Sequence, residues 1–242
     1  MLRSLFNKTK KTTSIPFRIF KEEFKQFNQL DKNKRLLNLW EKRYPCLDDR
    51  TETTIFDAHY IYHPAWAIRR ILQLAPLKHI DISSTLQFCS MLSAFMPVEF
   101  YDYRPANLNL TNLSSGKADL TDLFFETDSI VSLSCMHTVE HIGLGRYGDP
   151  IDPEGDVKAI NELKRVTAKG GSLFFVVPVG KPKIQFNAHR VYAFEQIKEY
   201  FEAFDLADFS LVKDDGSFEN QADPELVASQ YYSCGCFHFI KR

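Results

Sequence analysis

The strongest constraint on the fold is a strand, loop, helix and strand read in succession between residues 130 and 180. Residues 130–133 (IVSL) follow Asp128-Ser129 and form a short apolar run, the pattern of a buried strand. Residues 173–177 (LFFVV), closed by Pro178, form a second. Between them Ala159, Ile160, Leu163 and Val166 recur at helical spacing, and Lys169-Gly170-Gly171 stops that helix. The loop after the first strand carries His137, Glu140, His141, Arg146, Tyr147 and Asp149, then Asp152-Pro153-Glu154-Gly155-Asp156, with Asp156 as the expected N-cap. Polar residues just past the carboxyl end of a strand are where open α/β sheets bind ligands.

The flanking sequence extends this pattern. Residues 77–82 read as the first sheet strand, 86–96 as a helix and 98–102 as the second strand. Ala118-Asp119-Leu120 reads as the end of a third strand, and residues 194–201 as a helix. Residues 206–212 and 230–240 alternate like the last two strands. Asp102 stands about 20 residues after Asp81, where a nucleotide-binding fold places its ribose carboxylate; it also suits a turn before Arg104-Pro105. His59 and His63 are four apart, a spacing that suits a metal on a helix. Pro64 disfavours helical geometry at His63, so a helix is expected from Pro64 to Leu74, with the histidines in aromatic packing.

Ahead of this region, residues 16–44 carry two apolar patches and read as two helices. Phe17, Phe20, Phe24 and Phe27 form one stripe; Leu36, Leu37, Leu39 and Trp40 form a second patch after Asp31-Lys32-Asn33. The division expected is a basic helical extension over residues 1–54 and an α/β domain over 55–242. Residues 1–50 hold 13 Lys/Arg against 6 Asp/Glu, so within a net charge of -1 the remainder carries -8. That balance argues against a nucleic-acid binder. No run of about 18 apolar residues predicts a membrane span. Residues 1–11 lack the apolar core of a signal peptide and read as a solvated basic end, open to weak contact with anionic lipid. Five cysteines, at 46, 89, 135, 234 and 236, show no disulfide framework and fit a reducing, cytoplasmic setting. Cys234-Gly235-Cys236 puts both thiols on one strand face, read as buried free thiols rather than a metal pair.

Ser132-x-Ser134 followed by His137-Thr138-Val139-Glu140-His141 resembles the fourth strand and following loop of class I S-adenosyl-L-methionine (SAM) methyltransferases. Glu162-Leu163-Lys164-Arg165-Val166, Lys169-Gly170-Gly171 and the strand to Pro178 resemble the helix, turn and fifth strand that come next. The run EHIGLGRYGDPIDPEGD and Phe186-Asn187-Ala188-His189-Arg190 resemble an uncharacterised bacterial branch of that superfamily, a domain of unknown function associated with surface-polysaccharide gene sets. The resemblance covers residues 57–242. It implies a Rossmann-like fold: a mostly parallel seven-stranded sheet in the order 3-2-1-4-5-7-6 with helices on both faces. It also implies SAM as cofactor, held by Asp81, Ser83, Ser84, Asp102, Asp119 and His137. The superfamily's Asp-x-Gly-x-Gly is replaced by Asp81-Ile82-Ser83-Ser84-Thr85, with no glycine, so the usual close backbone approach is in question.

Three functions are carried forward. The first is methyl transfer to a hydroxyl of a small acceptor, a sugar or sugar nucleotide, which requires a base. His141, Glu140 and His189 are the catalytic candidates, and Arg146, Tyr147, Asp149 and Arg190 the substrate contacts. Each arginine is equally readable as a loop-stabilising ion pair. The second is a binding or scaffold protein that keeps the fold without SAM affinity. The third is a zinc hydrolase, since His137-x-x-Glu140-His141 is also the H-x-x-E-H pattern of inverted zinc peptidases. That pattern needs a helix, which Gly143 and Gly145 interrupt, so no metal site is expected there. The acidic run Asp149, Asp152, Glu154, Asp156 lacks an EF-hand's spacing and reads as a capped turn. A homo-oligomer is left open.

Overall fold

The computed structural model describes residues 15–242, so the basic stretch at residues 1–11 lies outside the described residues. The chain forms two compact units that part between Phe56 and Asp57. In the first, α1 (Ile15–Leu30) presents Phe17, Phe20 and Phe24 to Trp40, with ring centroids 6.3, 6.1 and 5.0 Å away. The second helix expected here does not form; only a 3-10 turn at Trp40–Lys42 is present. Asp31 accepts the Lys34 N–H at 3.0 Å, and Lys34 adopts φ 43°, which ends helical geometry. Leu36 and Leu37 are 74% and 81% exposed, so no buried face supports a helix too short to stand alone.

The second unit runs α2 (Ala58–Leu74), β1 (His79–Ile82), α3 (Leu86–Ser93), β2 (Val98–Asp102), β3 (Leu113–Lys117) and β4 (Ile130–Met136). A 3-10 turn (Val139–His141), α4 (Gly155–Val166), β5 (Thr167–Val179), β6 (Lys183–Gln185), β7 (His189–Val191) and α5 (Phe194–Tyr200) follow. β8 (Phe204–Val212), β9 (Phe218–Glu219), a 3-10 segment (Pro224–Ser229) and β10 (Ser233–Lys241) complete it. The sheet order is β3-β2-β1-β4-β5-β10-β8-β9. The first five strands are parallel, and β10 inserts antiparallel between β5 and β8. This is the expected seven-strand order, with the two-residue β9 added at the edge. The β6–β7 ribbon was not foreseen and lies where a loop was expected.

β5 shows why the apolar runs do not alternate with polar residues. Leu173, Phe175 and Val177 enter one core with Ile160 and Leu163 of α4 and Ile197 of α5. Phe174 and Val176 enter the other with Trp66 and Ile71 of α2 and Phe88 of α3. A strand covered on both faces needs apolar side chains at every position.

α2 begins at Ala58, not at Pro64. Asp57 caps it by accepting the Tyr60 N–H, and His63 Nδ1 hydrogen-bonds the His59 carbonyl at 2.7 Å. Pro64 is buried in the second turn, where its missing N–H removes one helical bond. Packing of the first turn outweighs the local preference of the residue before proline.

A polar relay crosses the sheet between β1 and β4. Ser134 donates its hydroxyl hydrogen to Asp81, so its oxygen must accept from His79 Nε2 at 2.8 Å. His79 Nδ1 is then the acceptor for the Ser132 hydroxyl at 2.7 Å. All three are buried: His79, Asp81 and Ser134 each have 0% exposure. Burial pushes the His79 imidazole down to about 3 and the Asp81 carboxyl up to about 6. His238, against Ser172 at 3.0 Å, is likewise pushed down to about 4 by burial.

Between pH 6.5 and these lowered values the unfolded chain binds protons that the folded histidines refuse, so stability rises with pH. Asp81 acts in the opposite sense between its unfolded value and about 6. Two histidines against one carboxyl leave a net loss of stability as pH falls from 6.5 toward 4. Each group contributes a slope of at most about 1.4 kcal/mol per pH unit. Urea midpoints are expected to fall from pH 7 to pH 5, and His79→Gln is expected to lower the midpoint at pH 7 while flattening that dependence.

Candidate functional site

The carboxyl ends of β1, β2, β3 and β4 open into a cavity of about 290 Å³. Its floor is the turn after β1. Ser83 adopts φ 58°, the left-handed conformation that glycine favours at such a turn. Its amide donates to the Tyr101 carbonyl at 2.7 Å, and its own carbonyl accepts the Thr138 hydroxyl at 2.7 Å. Below it, Asp81 accepts the Ser84 N–H at 3.0 Å, and Ser84 Oγ accepts the Met136 N–H at 3.0 Å. The glycine-free loop is thus held in a glycine-like backbone shape by a hydrogen-bonded serine layer.

Two of the carboxylates that line this cavity stand at or just past strand ends. Asp102 ends β2 and is oriented by the Arg104 N–H at 2.7 Å. Asp119, just past β3, accepts the Thr121 N–H at 2.8 Å and its hydroxyl at 2.7 Å. The far wall is the loop after β4. There the Tyr147 ring is approached by the guanidinium groups of Arg104 at 4.8 Å and Arg146 at 5.2 Å. Asp149 gathers the N–H groups of Gly143, Gly145 and Tyr147. Gly143 has φ 80°, and a Cβ there would stand 2.0 Å from the Asp152 carbonyl oxygen. Only glycine fits.

A second cavity of about 570 Å³ adjoins the first, with His137, His141 and Tyr147 lining both. Tyr60, Glu140, Arg146, His189 and Tyr232 complete its polar lining. His137 stands in the left-handed region at φ 54°, its amide tied to the Val176 carbonyl at 2.8 Å. Its Nδ1 meets Glu140 Oε1 at 2.9 Å. Burial pushes the Glu140 carboxyl up, but the His137 hydrogen bond and the electrostatic influence of the neighbouring imidazoles more than offset this, leaving it lowered and ionised.

His141 Nδ1 lies 2.6 Å from the Ala188 carbonyl, so that nitrogen carries the hydrogen. Nε2 keeps the lone pair and stands 3.7 Å from Glu140 Oε1. Burial lowers the His141 pKa, partly opposed by Glu140, so the ring is neutral and basic at neutral pH. His189 bonds Gln185 Oε1 through Nε2 at 2.6 Å, with its ring 6.5 Å from that of His141. Burial lowers its pKa too.

Of the residues singled out by sequence, Ser83, Asp102, Asp119, His137, His141, Tyr147 and Asp149 line the first cavity. Glu140, Arg146 and His189 line the second. Asp81 and Ser84 sit one layer beneath. Arg190 lines neither: it is buried, 3.3 Å from Asp156, and donates to the Ile142 carbonyl at 2.7 Å. The ion-pair reading of Arg190 is therefore the one that its position supports. Asp156, the expected N-cap, lies inside the first turn of α4 and also accepts the Tyr192 hydroxyl at 2.8 Å. Asp152 pairs with Lys158 at 2.6 Å, so the three aspartates of the acidic run are engaged by protein groups. The H-x-x-E-H segment is a single 3-10 turn, not the α-helix a zincin needs.

Sequence reasoning missed Tyr60, Thr138 and Tyr232. Tyr60 had a signal in the aromatic run after Asp57; Tyr232 had none, because it reaches the site only through the pairing of β10 with β5.

Sheet order and site position together define a Rossmann-like methyltransferase fold. Solved structures share it: the MccD protein, at 14% identity and TM-score 0.50, matches over 73% of this chain and 96% of its own. The [4+2]-cyclase SpnF, at 13% identity and TM-score 0.53, matches over 74% of this chain and 80% of its own. N-methyltransferase NodS from Bradyrhizobium japonicum WM9, in complex with S-adenosyl-L-homocysteine, has 12% identity and TM-score 0.49, over 74% and 85%. No curated protein matches the sequence. The chain belongs to the family described as Caenorhabditis protein of unknown function, DUF268, whose model matches residues 99–223.

Two substitutions probe the loops. Ser83→Gly relieves a left-handed serine and is expected to stabilise the protein by about 0.5–1 kcal/mol, read from urea midpoints. Gly143→Ala is expected to destabilise it by roughly 1–3 kcal/mol, because the new Cβ displaces the loop from the Asp152 carbonyl.

Proposed function

We propose that this chain is a SAM-dependent methyltransferase acting on a hydroxyl of a small acceptor, with a sugar or sugar nucleotide as the acceptor class. The observation that carries the reading is the meeting of two cavities at His137, His141 and Tyr147, one flanked by strand-end carboxylates and the other lined by polar and aromatic groups. The first cavity would hold the cofactor through Asp102, as acceptor for two ribose hydroxyls, and Asp119, as acceptor for an adenine amino group, and the left-handed backbone of Ser83 supports this reading. When bound, SAM supplies a methyl group on a sulfonium, open to in-line attack.

The chain's own residues align and deprotonate the acceptor. Tyr60, Tyr232 and Arg146 give the second cavity flat faces and a cation, which suit a hydroxylated ring bearing an anionic group. His141 Nε2 takes the hydroxyl proton, and Glu140, ionised and 3.7 Å away, stabilises the imidazolium that results. The hydrogen bond from Nδ1 to Ala188 keeps the lone pair on Nε2 until that proton is taken. His189 borders the same cavity as a second base. A cytoplasmic setting is part of this proposal and is supported by five unpaired thiols. Among the described residues no helix is long and apolar enough to cross a membrane.

Calorimetric titration with S-adenosylhomocysteine is expected to give micromolar binding, and Asp102→Ala to weaken it by about 1–3 kcal/mol, roughly 5- to 150-fold. An empty titration would leave a scaffold that keeps the fold without the cofactor. His141→Ala is expected to slow turnover while leaving that affinity intact, and loss of binding would instead make His141 a pocket residue. Because the His141 pKa lies below its ordinary value, turnover is expected to hold through pH 6.5 and to fall only at lower pH, where Nε2 becomes protonated.

A further inference from the structure

One cluster beside the second cavity is left unused by the reaction above. His59 comes from the first turn of α2, His137 from the end of β4 and Cys234 from β10. Their ligand atoms all lie within 4.8 Å of one another. The rings of His59 and His137 are nearly parallel, 13° apart, with centroids separated by 5.3 Å. Cys234 is fully buried, and His137 is 7% exposed.

Independent observations say that this cluster lacks something. His137 Nε2 is buried and has no hydrogen-bond partner among the described residues. Its Nδ1 is taken up by Glu140 Oε1 at 2.9 Å, which leaves Nε2 as the ring nitrogen free to face the cluster. His63 Nε2 is buried in the same state, with its ring 5.1 Å from that of His137. Unsatisfied buried nitrogens are uncommon in folded proteins. His137 is also held in a left-handed backbone that a non-glycine residue adopts only under constraint. A histidine with one nitrogen on a carboxylate and the other bare and buried is the arrangement by which proteins orient a metal ligand.

We propose that His59, His137 and Cys234 form a binding site for a thiophilic transition-metal dication of the zinc class, with Glu140 as the positioning residue behind His137. Two imidazoles and a thiolate select such an ion over Mg²⁺ or Ca²⁺, which take oxygen ligands. Metal–ligand arms of about 2.0–2.3 Å place tetrahedral donors roughly 3.3–3.8 Å apart, so the cluster closes by about 1 Å on binding. The Cys234 thiol gives up its proton to solvent as the metal–sulfur bond forms. Three protein ligands leave a fourth position for an exogenous oxygen, and His137 lines the second cavity, so the ion borders the acceptor. This site differs from the H-x-x-E-H reading: Glu140 is an outer partner, and His141 takes no part.

The test uses the full chain without an affinity tag, stripped by chelator and titrated with Co²⁺. One ion per chain is expected, with a sulfur-to-cobalt charge-transfer band in the near ultraviolet and the strong visible bands of four-coordinate cobalt. Zn²⁺ should displace it. Cys234→Ser is expected to abolish the charge-transfer band, while Cys46→Ser, at an exposed thiol, leaves it unchanged. Glu140→Gln is expected to weaken Co²⁺ about 10- to 100-fold at unchanged stoichiometry. His59 is only half-buried, so His59→Gln gives a well-folded check, with a loss of at least about tenfold expected. Absence of Co²⁺ binding, a charge-transfer band that survives in Cys234→Ser, or unchanged affinity in His59→Gln would overturn the proposal. None of these readouts depends on S-adenosylhomocysteine, so failure of the methyltransferase reading is separately visible.

Discussion

The Asp81 carboxylate, buried under the turn after β1, organises the site edge of this protein. It accepts the Ser134 hydroxyl from β4 and the Ser84 N–H from its own loop. The first bond ties the two parallel strands at which the strand order reverses. The second folds the loop so that Ser83 takes its left-handed backbone. A buried carboxyl raised to about 6 is costly unless its hydrogen bonds are made, so strand pairing, loop shape and the His79 tautomer are mutually dependent. The cavity-facing carboxylates, Asp102 and Asp119, are each held in place by the main-chain N–H two residues further on in the same loop.

Two strained residues mark the two ends of the site. Ser83 and His137 both have positive φ, each immediately beyond a central parallel strand. Each is over-determined by hydrogen bonds to its neighbours: Ser83 through Tyr101 and Thr138, His137 through Val176 and Glu140. Strain of this kind persists where surrounding structure pins it, and it commonly coincides with function. At Ser83 it gives the loop the backbone shape that a glycine favours. At His137 it turns an imidazole into a cluster with His59, His63 and Cys234 rather than toward the first cavity alone.

Local sequence misled where a tertiary contact outweighed a propensity. The start of α2 was misplaced because Pro64 argues against helix at His63, whereas the Asp57 cap and burial of His63 and Pro64 hold the earlier turn. The second N-terminal helix was expected from leucine spacing, but Leu36 and Leu37 find no surface to bury against. Arg190 read equally as a substrate contact and as a loop-stabilising ion pair; its partner Asp156 is 34 residues away in sequence, a distance over which no spacing rule operates. Thr138 and Tyr232 escaped for the same reason.

The sequence by itself determined the class of fold, because apolar runs without alternation demand strands covered on both faces, and their order with the intervening helix leaves few topologies. It also determined the strand-end carboxylates, since Asp102 and Asp119 follow directly from where β2 and β3 stop. Only the tertiary structure decided whether a loop without glycine takes a glycine-like turn, because that depends on hydrogen bonds from β4 to β1 and its loop. The meeting of His59, His137 and Cys234 was likewise decided by the sheet, because three residues on separate elements become neighbours only when helix and strands pack.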